Sequence, residues 1–168
     1  MSIFDPPDIS KMKEKKDIKG LIKAQENKDP NIVRDASFAL SDLGVVAYKG
    51  LFIGISSQDW QIRAKAYACL ADSRYDGNIA LLASLHDPHE MVRMTGLLGL
   101  LVRKENRAIQ PIGECLLYDP SKNVRESAVQ ALFKLCGEQG MEYFFAARSD
   151  PDPDVKKGVD EVLTKLGY

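Results

Sequence analysis

Histidines, cysteines and clustered carboxylates are the side chains that most often bind metals or carry catalysis, and here they are few and scattered. The two histidines, His86 and His89, form with Glu90 one short cluster ahead of Arg93. A protein-bound metal needs three or four converging ligands, so a single His-Glu pair in a turn is expected to be solvated rather than metallated. The three cysteines, Cys69, Cys115 and Cys136, are odd in number, far apart and without Cys-x-x-Cys spacing. In apolar helical patterns such thiols read as reduced core residues of a cytoplasmic protein. No serine–histidine–acid set, phosphate-cradling glycine loop or zinc-protease motif occurs. Carboxylate neighbours such as Asp160-Glu161 fall on faces expected to be solvated. No catalytic residue, cofactor site or metal site is therefore assigned, and the chain is not expected to be an enzyme.

The charged residues call for a reading of their own. Arg34, Arg63, Arg93, Arg125 and Lys156 recur at nearly even spacing, each behind an aspartate: Asp29, Asp59, Asp87, Asp119 and Asp152. A column of cations suggests phosphate binding, but every copy carries both signs. A structural ladder pairing each cation with a turn aspartate is the expectation, because paired charges leave little field for an anion. If exposed, each pair contributes only about 0–1 kcal/mol. The run Lys11, Lys13, Lys15, Lys16, Lys19 and Lys23 is interleaved with Asp8, Glu14 and Asp17. It reads as a solvated helix covering one end of the fold, with a docking surface for an acidic partner as the alternative. Over 168 residues the net charge is −1, which favours neither nucleic acid nor an anionic membrane. The longest uncharged apolar run, Gly96 to Val102, is too short for a bilayer span, and the N-terminal residues lack the pattern of a secretory signal.

What positions these residues is a repeat. Asp29-Pro30-Asn31-Ile32-Val33-Arg34 is echoed by Asp59-Trp60-Gln61-Ile62-Arg63 and by Asp87-Pro88 leading to Val92-Arg93. Asp119-Pro120 leading to Val124-Arg125 and Asp152-Pro153-Asp154-Val155-Lys156 complete the series. A small or β-branched residue and a leucine follow each time, the leucines at positions 40, 70, 100, 132 and 163. Aspartate can cap a helix and proline suits its first turn. The apolar residues that follow fall at helical spacing, as in Val124, Ala128, Ala131, Leu132 and Leu135. Gly44, Gly137 and Gly167 stand where a left-handed residue would end these helices. Shorter helical stripes lie between: Ile18, Leu21 and Ile22; Ala47, Leu51 and Ile55; Ile79, Leu82 and Leu85; Ile109, Ile112 and Leu116; Met141, Phe144 and Phe145. Short connections make neighbouring helices antiparallel, and one such hairpin buries its apolar faces only by stacking on others.

This phrase, Asp-Pro-x-x-Val-Arg-x-x-Ala-x-x-Ala-Leu-x-x-Leu-Gly, resembles HEAT repeats, most of all the short class of the phycobilin lyase subunits. The segment Ala108 to Leu116, with its interior Pro111, fits the first helix of such a unit. The second copy departs by carrying Trp60 for proline, and the third and fourth have two extra residues between aspartate and arginine. The resemblance implies an all-α fold, a right-handed α-solenoid of about five antiparallel hairpins. Residues 1–16 would form an N-terminal capping segment and 17–168 the repeat domain, with repeats near 17–44, 45–73, 74–104, 105–137 and 138–168. HEAT-type deoxyhypusine hydroxylases hold a di-iron centre through His-Glu pairs on several repeats, whereas one pair is present here.

The most informative segment is Met91 to Val102. At 100° per residue its core face should carry Gly96, Gly99 and Leu100, leaving Met94, Leu98 and Leu101 pointing out of the hairpin. Equivalent outward positions add Phe38, Gln130, Phe133 and Glu161, with Tyr67 and Val129 on the flank. Two readings stand: an apolar strip lining a concave binding groove, or a central helix buried on all sides. The expectation carried forward is a non-enzymatic scaffold binding a partner helix or peptide through Phe38, Tyr67, Met94, Leu98, Leu101, Gln130 and Phe133. Alternatives are a lyase-like or chaperone-like subunit for tetrapyrrole attachment, which the family resemblance suggests, and nucleic-acid backbone binding, which a weakly charged concave face disfavours. Self-association through the open ends of the stack stays open.

Overall fold

Helices begin here by one backbone device repeated along the chain. The computed structural model describes residues 6–43, 51, 53–72 and 77–168; Gly44 and Ala47 lie outside them. The first five helices are α1 (Ile9–Glu14), α2 (Ile18–Ala24), α3 (Pro30–Asp42), α4 (Trp60–Asp72) and α5 (Asn78–Ser84). They are followed by α6 (Glu90–Val102), α7 (Ile109–Tyr118), α8 (Lys122–Cys136), α9 (Met141–Ala147) and α10 (Pro153–Lys165). Asp29, Asp59 and Asp152 each accept from the backbone N–H two residues on, at 2.8, 2.8 and 2.9 Å, and so start α3, α4 and α10. In α6 the capping residue is His89, whose Nδ1 accepts from Met91 N at 3.3 Å, and in α8 it is Ser121.

A second device lies two residues upstream of each cap. Asn27, Ser57, Asp87, Asp119 and Asp150 accept the backbone N–H of Asp29, Asp59, His89, Ser121 and Asp152, at 2.8–3.2 Å. The aspartate phrase read from the sequence thus mixes two positions. Asp29, Asp59 and Asp152 cap, whereas Asp87 and Asp119 brace the turn from two residues earlier. The two extra residues of the third and fourth copies are this offset. Counted from the caps, the recurring leucine falls eleven residues on every time, and Leu40, Leu70, Leu100, Leu132 and Leu163 are all buried.

The chain divides into two compact units, Met1–Gly77 and Asn78–Tyr168. In the first, α1 packs on α2 and α3, and α3 packs on α4. Leu21, Ala24, Ala36, Ala39 and Leu40 form its core, with Ile9, Met12, Ile18 and Ile22 against them. The lysines of the N-terminal run all face solvent, so α1 and α2 turn their apolar side inward and their charge outward. Residue 51 and residues 53–55 are also helical, and Leu51 is buried.

In the second unit α5 pairs with α6, α7 with α8 and α9 with α10. The connections, residues 85–89, 119–121 and 148–152, are short enough to force antiparallel hairpins. The second helices α6, α8 and α10 pack side by side, and α7 packs on α9. Val92, Leu97, Leu100, Ile112, Leu116, Val124, Leu132, Phe144 and Val159 fill the space between. Each such side chain contributes about 1.5–3 kcal/mol on burial. Gly96 lets α5 and α6 approach: a Cβ there would collide with Ser84 Oγ. Gly137, at φ +54°, ends α8, and Gly167 has φ +90°, as expected for both. Lys16 and Lys104 also have a positive φ without being glycine (52° for each). Every described residue in regular structure is helical, so the fold is all-α, built of the stacked hairpins of an α-solenoid.

Candidate partner-binding groove

The cation column is a clamp between consecutive turns, shifted from the pairing the sequence suggests. Arg93 donates from Nε and Nη2 to the two carboxylate oxygens of Asp119, at 2.7 and 2.8 Å, and from Nη1 to the carbonyls of Asp87 and Pro88. Arg125 does the same one repeat later. It forks onto Asp150 at 2.7 and 3.1 Å and donates to the carbonyl of Asp119 at 2.9 Å. Each arginine thus binds its own turn through backbone oxygens and the next turn through a carboxylate. Both side-chain pairs are at most 10% exposed. The carboxylate hydrogen bonds hold both guanidinium groups still more firmly protonated than usual. Arg63 donates to the carbonyls of Ser57 and Gln58 in the same pattern.

Arg34 is out of register. Counted from the cap, its column position belongs to Val33, which is buried, while Arg34 lies exposed against Asp35 at 2.8 Å. Lys156 is exposed, and Asp152 sits 3.5 Å from Lys122 instead. In the second unit the two arginines of the column are consumed by the clamps, which leaves Lys156 as its exposed cation there.

Fixing successive turns aligns α6 and α8 with their N-termini together: Glu90, at the start of α6, accepts from Ser121 Oγ and from Asn123 Nδ2 at the start of α8. Between these parallel helices runs an open groove of about 630 Å³. Met91, Met94, Leu97, Leu98 and Leu101 supply its apolar wall from α6. Glu126, Gln130 and Lys134, one helical stripe of α8, supply the other, with Ala131 between. The hydroxyls of Thr95 and Ser127 donate to their own helix, at 2.7 Å to the carbonyls of Met91 and Asn123, which leaves the lining less polar than its sequence implies. Leu98 is 60% exposed and Met91 43%. Covering Leu98 would yield about 1–2 kcal/mol. Two flexible methionines let the wall adapt to the shape laid on it.

Of the seven residues singled out in the sequence, Met94, Leu98, Leu101 and Gln130 meet in this groove. Phe133 does not. It turns from α8 toward α10, where Lys165 Nζ lies 5.9 Å from its ring centre. Phe38 is exposed on α3 of the first unit. Tyr67 is corrected outright: it is only 6% exposed and offers no surface. It holds the helix position of Leu97 and Val129, and in the second unit that flank is covered by the next second helix, where Gly158 of α10 lies against Val129. Val129, fully buried, is corrected with it. The groove residues that sequence reasoning missed include Met91, Glu126 and Lys134, whose faces depend on how two repeats align.

The remaining reactive groups are committed to structure. Burial pushes the Cys69 thiol up to about 12 and Cys115 to about 11, far from a nucleophile's range. Cys136 Sγ lies 3.2 Å from the Leu132 carbonyl. Glu105 is brought down to about 2 by hydrogen bonds from Arg107, against the opposing effect of burial. It ties the loop after α6 to Asn78 at the start of α5. Among the described residues no three histidine, cysteine or acidic side chains gather as a metal site, and no helix is long and apolar enough to cross a membrane.

Among curated proteins none matches the sequence. Among solved structures, a designed armadillo repeat protein, YIII(Dq)4CqI, is similar with a TM-score of 0.47 and 19% identity, over 94% of this chain and 85% of that one. That likeness is too slight to argue from. The sequence profile of HEAT repeats is different in kind, because it matches residues 48–133, just over half of the chain. Such repeats generally serve as protein-interaction scaffolds and are typically not enzymes. With its braced turns, arginine clamps and paired helices, this chain belongs to the HEAT-repeat family.

Proposed function

We propose that this protein is a non-enzymatic scaffold that binds a helix or peptide of a partner protein in the groove between α6 and α8. The observation that carries this reading is Leu98, a leucine 60% exposed in the middle of an internal helix, in line with Met94 and Leu101. Soluble proteins leave single apolar residues exposed everywhere, but an apolar strip walled by a polar stripe marks an interaction site. The equivalent position is polar in the repeats that follow, Gln130 and Glu161, so within the second unit the apolar character is local to one groove.

The test is selection of binders from a displayed library of helical peptides, followed by methyl NMR of the methionines on titration. Shifts should concentrate at Met91 and Met94, and Leu98→Lys should weaken binding at least tenfold while circular dichroism stays unchanged. Peptides that shift other methionines, or bind the variant equally well, would sink the groove as the site.

A further inference from the structure

The groove has two ends of opposite charge. Glu126 stands near the end where α6 and α8 begin and Lys134 near the end where they finish, eight residues or about 12 Å apart along α8. Their neighbours on the same helix are paired: Lys122 lies 3.1 Å from Asp154, and Arg125 forks onto Asp150. Among the described residues neither Glu126 nor Lys134 has an ion-pair partner. The dipole of α8 accounts for a lysine in its last turn, but not for Glu126, which lies beyond the first turn where that effect fades. What the two share is the groove wall.

We infer that the groove sets the direction as well as the position of its occupant. On the reading of the groove given above, that occupant is an amphipathic helix of a partner protein. It carries a cation over Glu126 and, seven or eight residues away on the same face, a carboxylate over Lys134. The apolar residues between them meet Met94, Leu98 and Leu101. Apolar contact alone would admit a helix in either direction, because the wall from Met91 to Leu101 is apolar throughout. The charges separate the two orientations: the reversed helix places like charges together at both ends.

Two synthetic helical peptides of about 18 residues test this, sharing one apolar face. The first carries lysine toward its N-terminus and glutamate eight residues later; the second has the two exchanged. Each bears a nitroxide at its N-terminus and is added to the isotope-labelled full chain. The label of the first peptide should broaden the amide signals of Asn123 and Glu126, and that of the second those of Lys134 and Leu135. In the variant combining Glu126→Lys and Lys134→Glu the two patterns should exchange. Glu126→Gln should weaken the first peptide about two- to fivefold. Binding with the same broadening pattern for both peptides would overturn the directional inference and leave the groove standing as a site. Absence of binding by either peptide, with the fold intact, would overturn the groove itself and this inference with it.

Discussion

The turn before α3 and the turns before α6 and α8 are built on one plan, yet only the latter two are clamped. In the second unit an arginine sits four residues after each of these caps and bridges to the next turn, Arg93 to Asp119 and Arg125 to Asp150. In α3 the same place is Val33, and the residue that matches Asp119 in the following turn is Ser57. Asn27 and Asp29 still brace and cap α3, so the helix starts equally well without the clamp. Starting a helix and fixing its repeat to the next are therefore separate tasks. The first needs local hydrogen bonds alone, and the second needs a buried ion pair whose partners come from different repeats. The one groove that this chain turns into a candidate site lies in the clamped unit, between two helices whose ends are held in register.

This contrast can be broken most forcefully at Asp119. Asp119→Ala leaves the buried guanidinium of Arg93 without its carboxylate, and should cost about 3–5 kcal/mol in chemical denaturation. Hydrogen exchange should show the loss centred on α6 to α8 rather than on α2 and α3. Uniform loss of protection across both units would mean that the clamp is not local to its unit.

A second experiment sharpens the contrast by trying to build the missing clamp. Val33→Arg alone buries an unpaired charge and should destabilise the protein. Adding Ser57→Asp should recover about 1.5–3 kcal/mol, the value of hydrogen bonds between charged groups. A double-mutant cycle reads this as coupling, and additive effects would show that the two turns do not face each other as the clamped ones do.

Acid offers a reversible version. Glu105 titrates near 2 in the folded chain against an ordinary 4.5, so its carboxylate stabilises the fold fully above about pH 4.5. That contribution should fade as the pH falls toward 2, loosening the second unit. Glu105→Gln should remove this part of the pH dependence and weaken the protein by about 1–2 kcal/mol at pH 7. A wild-type pH profile in that range unchanged by the substitution would contradict the role.

The smallest effect is expected at Arg34. Its pair with Asp35 is exposed, so Arg34→Ala should change stability by no more than about 0.5 kcal/mol. A cost comparable with that at Asp119 would show that the two turns are alike after all.

The arginine register shows where reading a sequence succeeds and where it stops. Periodic leucines and turn aspartates made the helical hairpins legible, because capping and apolar spacing act over a few residues. The same phrase misled at Arg34, since Val33-Arg34 looks like the Val-Arg of other copies while standing one residue later from its cap. Tyr67 and Val129 misled for a related reason. A helical wheel tells core from exterior within one hairpin, but both side chains are buried, and Val129 is covered by a residue of another hairpin, Gly158.

By itself, then, the sequence determined the all-α repeat, the aspartate caps of α3, α4 and α10, the buried leucine column and the outward direction of Met94, Leu98 and Leu101. These follow from backbone capping and from a period of 3.6 residues, both local. Tertiary structure alone decided that Asp119 and Asp150 answer Arg93 and Arg125, that Val129 is buried, and that Phe133 leaves the groove while Glu126 and Lys134 join it. Each of these depends on how one repeat rotates and packs against the next, a contact between residues about 30 positions apart that no local pattern encodes.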